Sequence, residues 1–147
     1  MYTLDANIFL RDLNTNDPDY LECHALLAQL EATATPVIVP LVLLAEVAGS
    51  IRREVGDTMR ARVFVTLLRA LPHLSFVPLD DDLADEAAAI AADYALCGMD
   101  AIYVAVAHRF GCTLVSLDRE VRQRAAPLIT VQTPVQALAG LVPPRNS

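Results

Sequence analysis

The sequence lacks lysine altogether, and all eleven of its basic residues are arginine. Phosphorylated receiver domains contact their phosphate through a lysine, so this class of aspartate-rich protein is disfavoured. Glycine is also sparse: the five glycines are scattered, and they form no glycine-rich loop that could cradle a nucleotide phosphate. These two absences argue against both a phosphorelay protein and a nucleotide-binding protein.

Long apolar runs and paired cysteines are lacking too. The longest apolar run, 37–45, is nine residues long and contains Pro40, whereas a membrane-spanning helix needs about 20 residues. Charged residues at positions 5, 11 and 12 interrupt the N-terminus, so no signal peptide is expected. The three cysteines are odd in number and lack zinc-site spacing, which fits buried thiols. We therefore expect a cytoplasmic protein that does not contact a membrane.

The length of 147 residues and the 54% hydrophobic content predict a single domain. A chain of this size buries roughly 68–70% of its unfolded surface, which is enough for a core without disulfides. We expect the domain to cover residues 1–142 and to be followed by a flexible C-terminal tail, 143–147.

Short apolar segments alternate with helical patterns along the whole chain. This alternation predicts an α/β fold with three α/β/α layers around a central, mostly parallel, five-stranded sheet. The predicted strands are 2–4, ending on Asp5, and then 36–39, 75–79, 113–117 and a segment around 129–131. The predicted helices are one that starts at 8–10, and then 17–33, 41–54, 58–71, 83–96, 100–110, 119–126 and one or two turns within 134–141.

Four carboxylates stand where such a sheet would gather functional side chains. Asp5 and Asp118 follow strands, Asp100 starts a helix, and Glu46 lies within an apolar helical turn. Because side chains at the carboxyl ends of parallel strands line a common crevice, we expect the four acids to converge. Carboxylate oxygens are the ligands that Mg²⁺ prefers, and a bound metal can activate water against a phosphodiester. The pattern predicts a metal-dependent site that hydrolyses a phosphodiester.

Glu46 is the most informative of these acids, because it is the only charged residue between Glu31 and Arg52. A buried carboxylate needs a partner, and no basic residue lies at helical spacing from it. Three explanations for a carboxylate at this position remain: it binds a metal ion, it pairs with a distant arginine, or it is exposed at the helix edge. Each of the other acids also has a simpler explanation, since Asp100 suits the helix dipole, Asp118 suits a helix cap and Asp5 suits a helix start.

Polar neighbours of the acids are candidates for orienting the ligands or their bound waters. Asn7 and Ser116 lie two residues from Asp5 and Asp118, respectively. Their hydrogen bonds could support a metal site, or they could only stabilise a turn and a strand end.

The net charge of −7 should repel nucleic acid, although two bound divalent cations would reduce it to −3. Positive charge is concentrated in one stretch, where arginine offers a fork suited to phosphate oxygens. Surface ion pairs with Glu54 and Asp57 are an equally good explanation of this cluster. The candidate RNA-binding residues are Arg52, Arg53, Arg60 and Arg62.

Four successive motifs carry a resemblance to a known family. In this order, and over nearly the whole chain, they resemble the motifs of PIN-domain ribonucleases, in particular the VapC-type toxins of toxin–antitoxin pairs. The motifs are Leu4–Asn7, Ala45–Val47, Gly98–Ala107 and Leu114–Glu120.

The resemblance implies a PIN-like fold and a Mg²⁺- or Mn²⁺-dependent endoribonuclease that is commonly a homodimer and is neutralised by a small antitoxin. Matched residue by residue, it implies that Asp5, Glu46, Asp100 and Asp118 are the catalytic metal ligands and that Ser116 supplies a hydroxyl beside them. We also expect a basic segment of the antitoxin to compete with metal among the acids.

Two alternatives remain within the same fold class. A haloacid-dehalogenase-type phosphatase needs a second aspartate two residues after the nucleophile, but that position is Asn7, and the lysine is missing as well. A non-catalytic PIN-fold module that binds RNA or protein without turnover would keep the fold but would not need all four acids. Their presence favours the enzyme.

Overall fold

A computed structural model describes residues 1–141, which form five strands and eight helices in alternation. The strands are β1 Tyr2–Leu4, β2 Val37–Pro40, β3 Leu74–Val77, β4 Thr113–Val115 and β5 Val131–Gln132. The helices are α1 Ala6–Arg11, α2 Tyr20–Ala32, α3 Leu43–Val55, α4 Thr58–Ala70, α5 Asp81–Tyr94, α6 Gly98–Phe110, α7 Arg119–Ala125 and α8 Pro134–Leu141.

The five strands form one sheet in the order β3-β2-β1-β4-β5, and every neighbouring pair is parallel. β1 is the central strand: Tyr2 pairs with Val37 of β2 on one side and with Thr113 of β4 on the other. The α/β class and the five-stranded sheet predicted from the sequence are confirmed, and the sheet is wholly rather than mostly parallel. All five strands therefore end at one edge, where the first helices after β1, β2 and β4 begin.

Helix α6 forms the centre of the core. Six of its thirteen residues are buried, and it packs against β1, β2 and β4. A helix that is apolar around most of its circumference lies inside a domain rather than on its surface. The buried side chains are those of Ala101, Tyr103, Val104, Ala105, Val106 and Ala107.

Two helix starts lie later than the sequence predicted. Helix α2 begins at Tyr20 because the Asp17 carboxylate accepts the backbone N–H of Asp19 at 2.9 Å and forms an ion pair with Arg11 at 2.7 Å. Helix α3 begins at Leu43 because Pro40 continues β2 and pairs with Val77. Proline lacks only the N–H donor, so it is tolerated at this strand end.

Helix α8 confirms the helical turns that were predicted within 134–141. The flexible tail predicted for 143–147 lies outside the described residues. No single helix within residues 1–141 is long and apolar enough to cross a membrane; α5 and α6 meet that test only as a pair bent by 112°.

Candidate active site

Asp5 occupies the position directly after the central strand, at the start of α1. Its N–H donates to the carbonyl of Val115 at 3.1 Å, which fixes the backbone to the end of β4. The Ser116 hydroxyl, fully buried, donates to Asp5 Oδ2 at 3.0 Å. The carboxylate of Asp5 is only 8% exposed, so it is a buried acid held by an uncharged donor.

Burial raises the pKa of Asp5 from its ordinary 3.8 to about 6. The hydrogen bond from Ser116 acts in the opposite direction, because it stabilises the ionised form. The negative charges of Glu46 and Asp100 raise the pKa further. This last effect means that three acids separated widely in the sequence lie within one electrostatic environment.

Glu46 lies in the first turn of α3 and is half-buried. The Tyr103 hydroxyl donates to Glu46 Oε2 at 2.7 Å, from a ring that is itself 2% exposed. Burial raises the pKa of Glu46; the hydrogen bond from Tyr103 lowers it, and the charge of Asp100 raises it. Of the explanations for this acid, a distant arginine is wrong, because no salt bridge within residues 1–141 involves Glu46.

Asp100 lies in the first turn of α6 and is half-buried. The Cys97 thiol donates to Asp100 Oδ2 at 2.9 Å, and this hydrogen bond is the main reason why the pKa of Cys97 is raised. Asp100 contributes to the raised pKa of both Asp5 and Glu46, so it links the other two acids electrostatically.

Asp118 differs from the other three acids because it is exposed and caps α7. Its carboxylate accepts the N–H groups of Glu120 at 2.7 Å and Val121 at 3.4 Å. Its own N–H donates to the Ser116 hydroxyl at 3.1 Å, which connects it to Asp5 through one side chain. The helix-cap explanation of Asp118 is confirmed, and its role as a metal ligand stays a prediction.

The two predicted supporting residues have different surroundings. Ser116 lies between Asp5 and Asp118 and bonds to both, as a residue that orients ligands would. Asn7 is exposed in the first turn of α1. The hydrogen-bonding role predicted for Ser116 is therefore visible in the structure, whereas that of Asn7 stays a prediction.

Carboxylates of this kind suit a hard cation. Asp5, Glu46 and Asp100 offer only oxygen ligands. The pKa values of Asp5 and Glu46 are raised mainly by burial and further by the charge of Asp100, so negative charge is concentrated there. Within residues 1–141, however, no group of three or more histidine, cysteine or acidic side chains is arranged to hold a metal ion. Magnesium or manganese ligation by these residues stays a prediction.

The predicted arginine cluster is divided between two helices. Arg52 and Arg53 are in the last turn of α3, about 9–10.5 Å further along its axis than Glu46. Arg60 and Arg62 lie on α4. All four candidate arginines are exposed, and none forms a salt bridge within the described residues. The ion pairs considered with Glu54 and Asp57 are not formed; Asp57 instead caps α4.

Two further residues contact the candidate site residues. Tyr103 follows Asp100 by three positions, a spacing that places both on one face of a helix. Arg122 is half-buried and donates through Nη1 to the carbonyl of Ser116 at 3.0 Å. It follows Asp118 by four positions, so the same spacing rule could have indicated it.

Comparison with known proteins identifies the family. A family model described as the PIN domain matches residues 2–127. The chain belongs to the PIN domain family. No curated protein matches its sequence.

Solved structures resemble this PIN domain along almost their whole length. VapC20 of Mycobacterium tuberculosis, described as a sarcin–ricin loop cleaving toxin, has a TM-score of 0.73 at 19% identity, covering 90% of this chain and 99% of that chain. FitAcB from Neisseria gonorrhoeae has a TM-score of 0.69 at 20% identity, with coverages of 92% and 99%. A toxin–antitoxin complex from Klebsiella pneumoniae has a TM-score of 0.65 at 22% identity, with coverages of 91% and 98%. At sequence identities this low, the similarity to these structures shows a shared fold and nothing more.

The raised pKa of Asp5 predicts how metal-free stability depends on pH. The folded state binds its proton more tightly than the unfolded state, so stability falls as pH rises from about 4 to about 6. Asp5→Asn removes the buried negative charge and therefore this loss of stability. We expect the free energy of unfolding in urea with EDTA to rise by roughly 1–3 kcal/mol at pH 7.5, and by less at pH 4.5.

Asp93→Asn is the matched control, because Asp93 is an exposed acid on α5. It should change stability little at either pH. An equal gain at both pH values for Asp5→Asn, or a loss at pH 7.5, would contradict the assignment of a strained buried carboxylate.

Proposed function

We propose that this PIN domain is a Mg²⁺- or Mn²⁺-dependent endoribonuclease of the cytoplasm and the toxin of a toxin–antitoxin pair. The observation that carries the proposal is the buried Asp5, whose raised pKa depends in part on the charges of Glu46 and Asp100. Three acids crowded at the carboxyl edge of a parallel sheet are destabilising for a domain without a ligand. The same three acids suit a site that binds a divalent cation.

Asp5, Glu46 and Asp100 would hold the cation through carboxylate oxygens, with Asp118 joining them from the rim. When bound, a divalent cation supplies an activated water and neutralises charge on the phosphodiester. In the hydrolysis, the water oxygen bonds to phosphorus, the bond to the leaving oxygen breaks, and that oxygen takes up a proton. Ser116 orients the Asp5 carboxylate during this chemistry through its 3.0 Å hydrogen bond.

Structural relatives support both parts of the proposal. VapC20 of Mycobacterium tuberculosis is described as cleaving the sarcin–ricin loop, which favours RNA as the substrate class here. The Klebsiella pneumoniae relative is a toxin–antitoxin complex, which favours a protein partner. Self-association as a homodimer stays a prediction from the family resemblance.

An apolar groove offers a surface for the antitoxin. It lies between α1, α3 and α4, has a volume of about 480 Å³, and includes Met59 and Leu67, which are 67% and 59% exposed. Contiguous exposed apolar surface is a feature of partner sites. Leu10 and Ile51, which line the groove, follow Asp5 and Glu46 by five residues, or about 7.5 Å along each helix axis. A chain in the groove can therefore place a basic segment among the acids.

The groove and the absence of a ready metal arrangement within residues 1–141 both favour a second candidate function. This candidate is a PIN-fold protein-interaction or RNA-binding module without turnover. The two functions differ in whether replacing one acid changes RNA cleavage, so a cleavage assay separates them.

Purified protein without antitoxin should cut structured RNA in the presence of Mg²⁺ or Mn²⁺. Asp5→Asn and Asp100→Asn should each lower kcat by about 100-fold or more, because each removes a ligand charge. Asp93→Asn, on the exposed face of α5, should leave kcat unchanged. Cutting that persists in Asp5→Asn protein would identify a contaminant, and no cutting by any protein would favour the non-catalytic module.

Mn²⁺ should stabilise the wild-type protein against heat, because the cation relieves the repulsion among the acids. A concentration 100 times the Kd contributes about 2.7 kcal/mol to the folded state. The shift in Tm should disappear in Asp5→Asn and persist in Asp93→Asn. A wild-type Tm that does not respond to millimolar Mn²⁺ would count against the metal site itself, independently of any RNA.

Co-expression with a candidate antitoxin tests the groove. Replacing Met59 and Leu67 together by glutamate should abolish co-purification of the small partner, because two charges would be buried in an apolar contact. Leu21→Glu is the control, since Leu21 is 76% exposed on α2, away from the groove. Unchanged co-purification of the double variant would place the partner on another surface.

A further inference from the structure

The contact between Tyr103 and Glu46 joins two helices that both carry acids of the candidate site. The two residues are 57 positions apart, and the hydroxyl of one lies 2.7 Å from Oε2 of the other. Asp100 precedes Tyr103 by three positions on the same helix, so this single hydrogen bond fixes α3 and α6 to each other at the level of the acids. We infer that Tyr103 is a positioning residue, whose hydroxyl orients the Glu46 carboxylate for cation binding.

The composition of α6 shows that this hydroxyl is there for Glu46 rather than for packing. Its other buried residues are four alanines and valines in succession, Val104–Ala107, together with Ala101. The hydroxyl of Tyr103 is therefore the single polar group among the buried side chains of this helix. Phenylalanine would fill the same volume without needing a hydrogen-bond partner.

Burial separates a positioning role from a catalytic one. Tyr103 is 2% exposed, so its hydroxyl cannot contact an RNA substrate. It occupies Oε2 of Glu46 and leaves Oε1 for a ligand. A tyrosine restricts the rotation of the flexible glutamate, yet it adds no positive charge that would compete with the cation. Arginine or lysine in its place would neutralise the carboxylate.

The other two coupled acids are held in the same manner. Ser116 donates to Asp5 at 3.0 Å and Cys97 donates to Asp100 at 2.9 Å. Each acid thus has one oxygen bonded to an uncharged hydroxyl or thiol. Of these three donors, Tyr103 lies in the core of the domain, whereas Ser116 follows a strand and Cys97 precedes a helix. Tyr103 therefore ties the position of Glu46 to the packed helix α6.

Tyr103→Phe tests the inference, which rests on the proposed function. The Kd for Mn²⁺, measured by calorimetry without RNA, should rise about tenfold, as is typical when a hydrogen bond to a metal ligand is removed. At limiting Mn²⁺, kcat for RNA cleavage should fall while KM stays unchanged, and excess Mn²⁺ should restore kcat. Tyr20→Phe is the control, because Tyr20 lies on α2 and stacks on His24.

A Glu46→Gln background distinguishes positioning from a general loss of packing. There, Tyr103→Phe should weaken Mn²⁺ binding no further, because the carboxylate that the hydroxyl orients is already gone. An effect of equal size in both backgrounds would show that Tyr103 acts through packing, and would overturn the inference.

Mn²⁺ binding and RNA cleavage by the wild-type protein distinguish a failure of the positioning role from a failure of the proposed function. If wild-type protein binds Mn²⁺ and cleaves RNA, and Tyr103→Phe does both with unchanged Kd and kcat, the positioning role is wrong and the proposed function stands. If wild-type protein does not bind Mn²⁺, the proposed function fails and the positioning role fails with it.

Discussion

The burial of Asp5 beside two further acids, Glu46 and Asp100, is the constraint on which this site depends. The parallel sheet ends at one edge, and β1, the central strand, delivers Asp5 to a position that is 8% exposed. Helices α3 and α6 bring the other two acids into the same electrostatic environment. A fold selected only for stability would not gather these carboxylates in this way, because the charged forms of Asp5 and Glu46 are disfavoured by burial and by neighbouring negative charge. Local conflict of this kind is expected at functional sites.

The way in which the acids are held follows from that constraint. A basic partner would relieve the repulsion most effectively, but it would also remove the negative charge that makes the edge useful. The structure instead supplies neutral donors, the hydroxyls of Ser116 and Tyr103 and the thiol of Cys97. Hydrogen bonds to charged acceptors stabilise by about 1.5–3 kcal/mol, which offsets part of the cost of burial while the charge is retained.

Much of the fold could be predicted because its signals are local. Gly56 and Gly111 adopt positive φ directly after α3 and α6, so the residues themselves mark where those helices end. The alternation of strands and helices then fixes the parallel sheet. The predicted start of α2 was wrong because Arg11, six residues before Asp17, holds the Asp17 carboxylate in a turn. No periodicity within the helix carries that information.

The elements that carry the four acids could also be predicted, and so could Ser116 as a hydrogen-bonding neighbour, but the bonds from Tyr103 and Cys97 could not. The apolar surroundings of Glu46 indicated that this acid needs a partner or an exposed edge, whereas its donor lies 57 positions away and depends on how α6 packs. The difference between Asp118 and the other acids could not be seen either. An aspartate after a strand is the same pattern whether it points inward, as Asp5 does, or caps the next helix, as Asp118 does. Only the tertiary structure distinguishes the two.

The distribution of positive charge bears on how an acidic domain could engage RNA. The chain carries a net charge of −7, and the exposed arginines at 52, 53, 60 and 62 lie away from the acids, at the far end of α3 and on α4. Arg122 is closer, but one side of its guanidinium is already bonded to the carbonyl of Ser116. Under the proposed function, the acids repel the phosphate to be cut unless a cation lies between them. Metal binding then controls substrate approach as well as chemistry. A partner that inserts a basic group among the acids would block both steps at once.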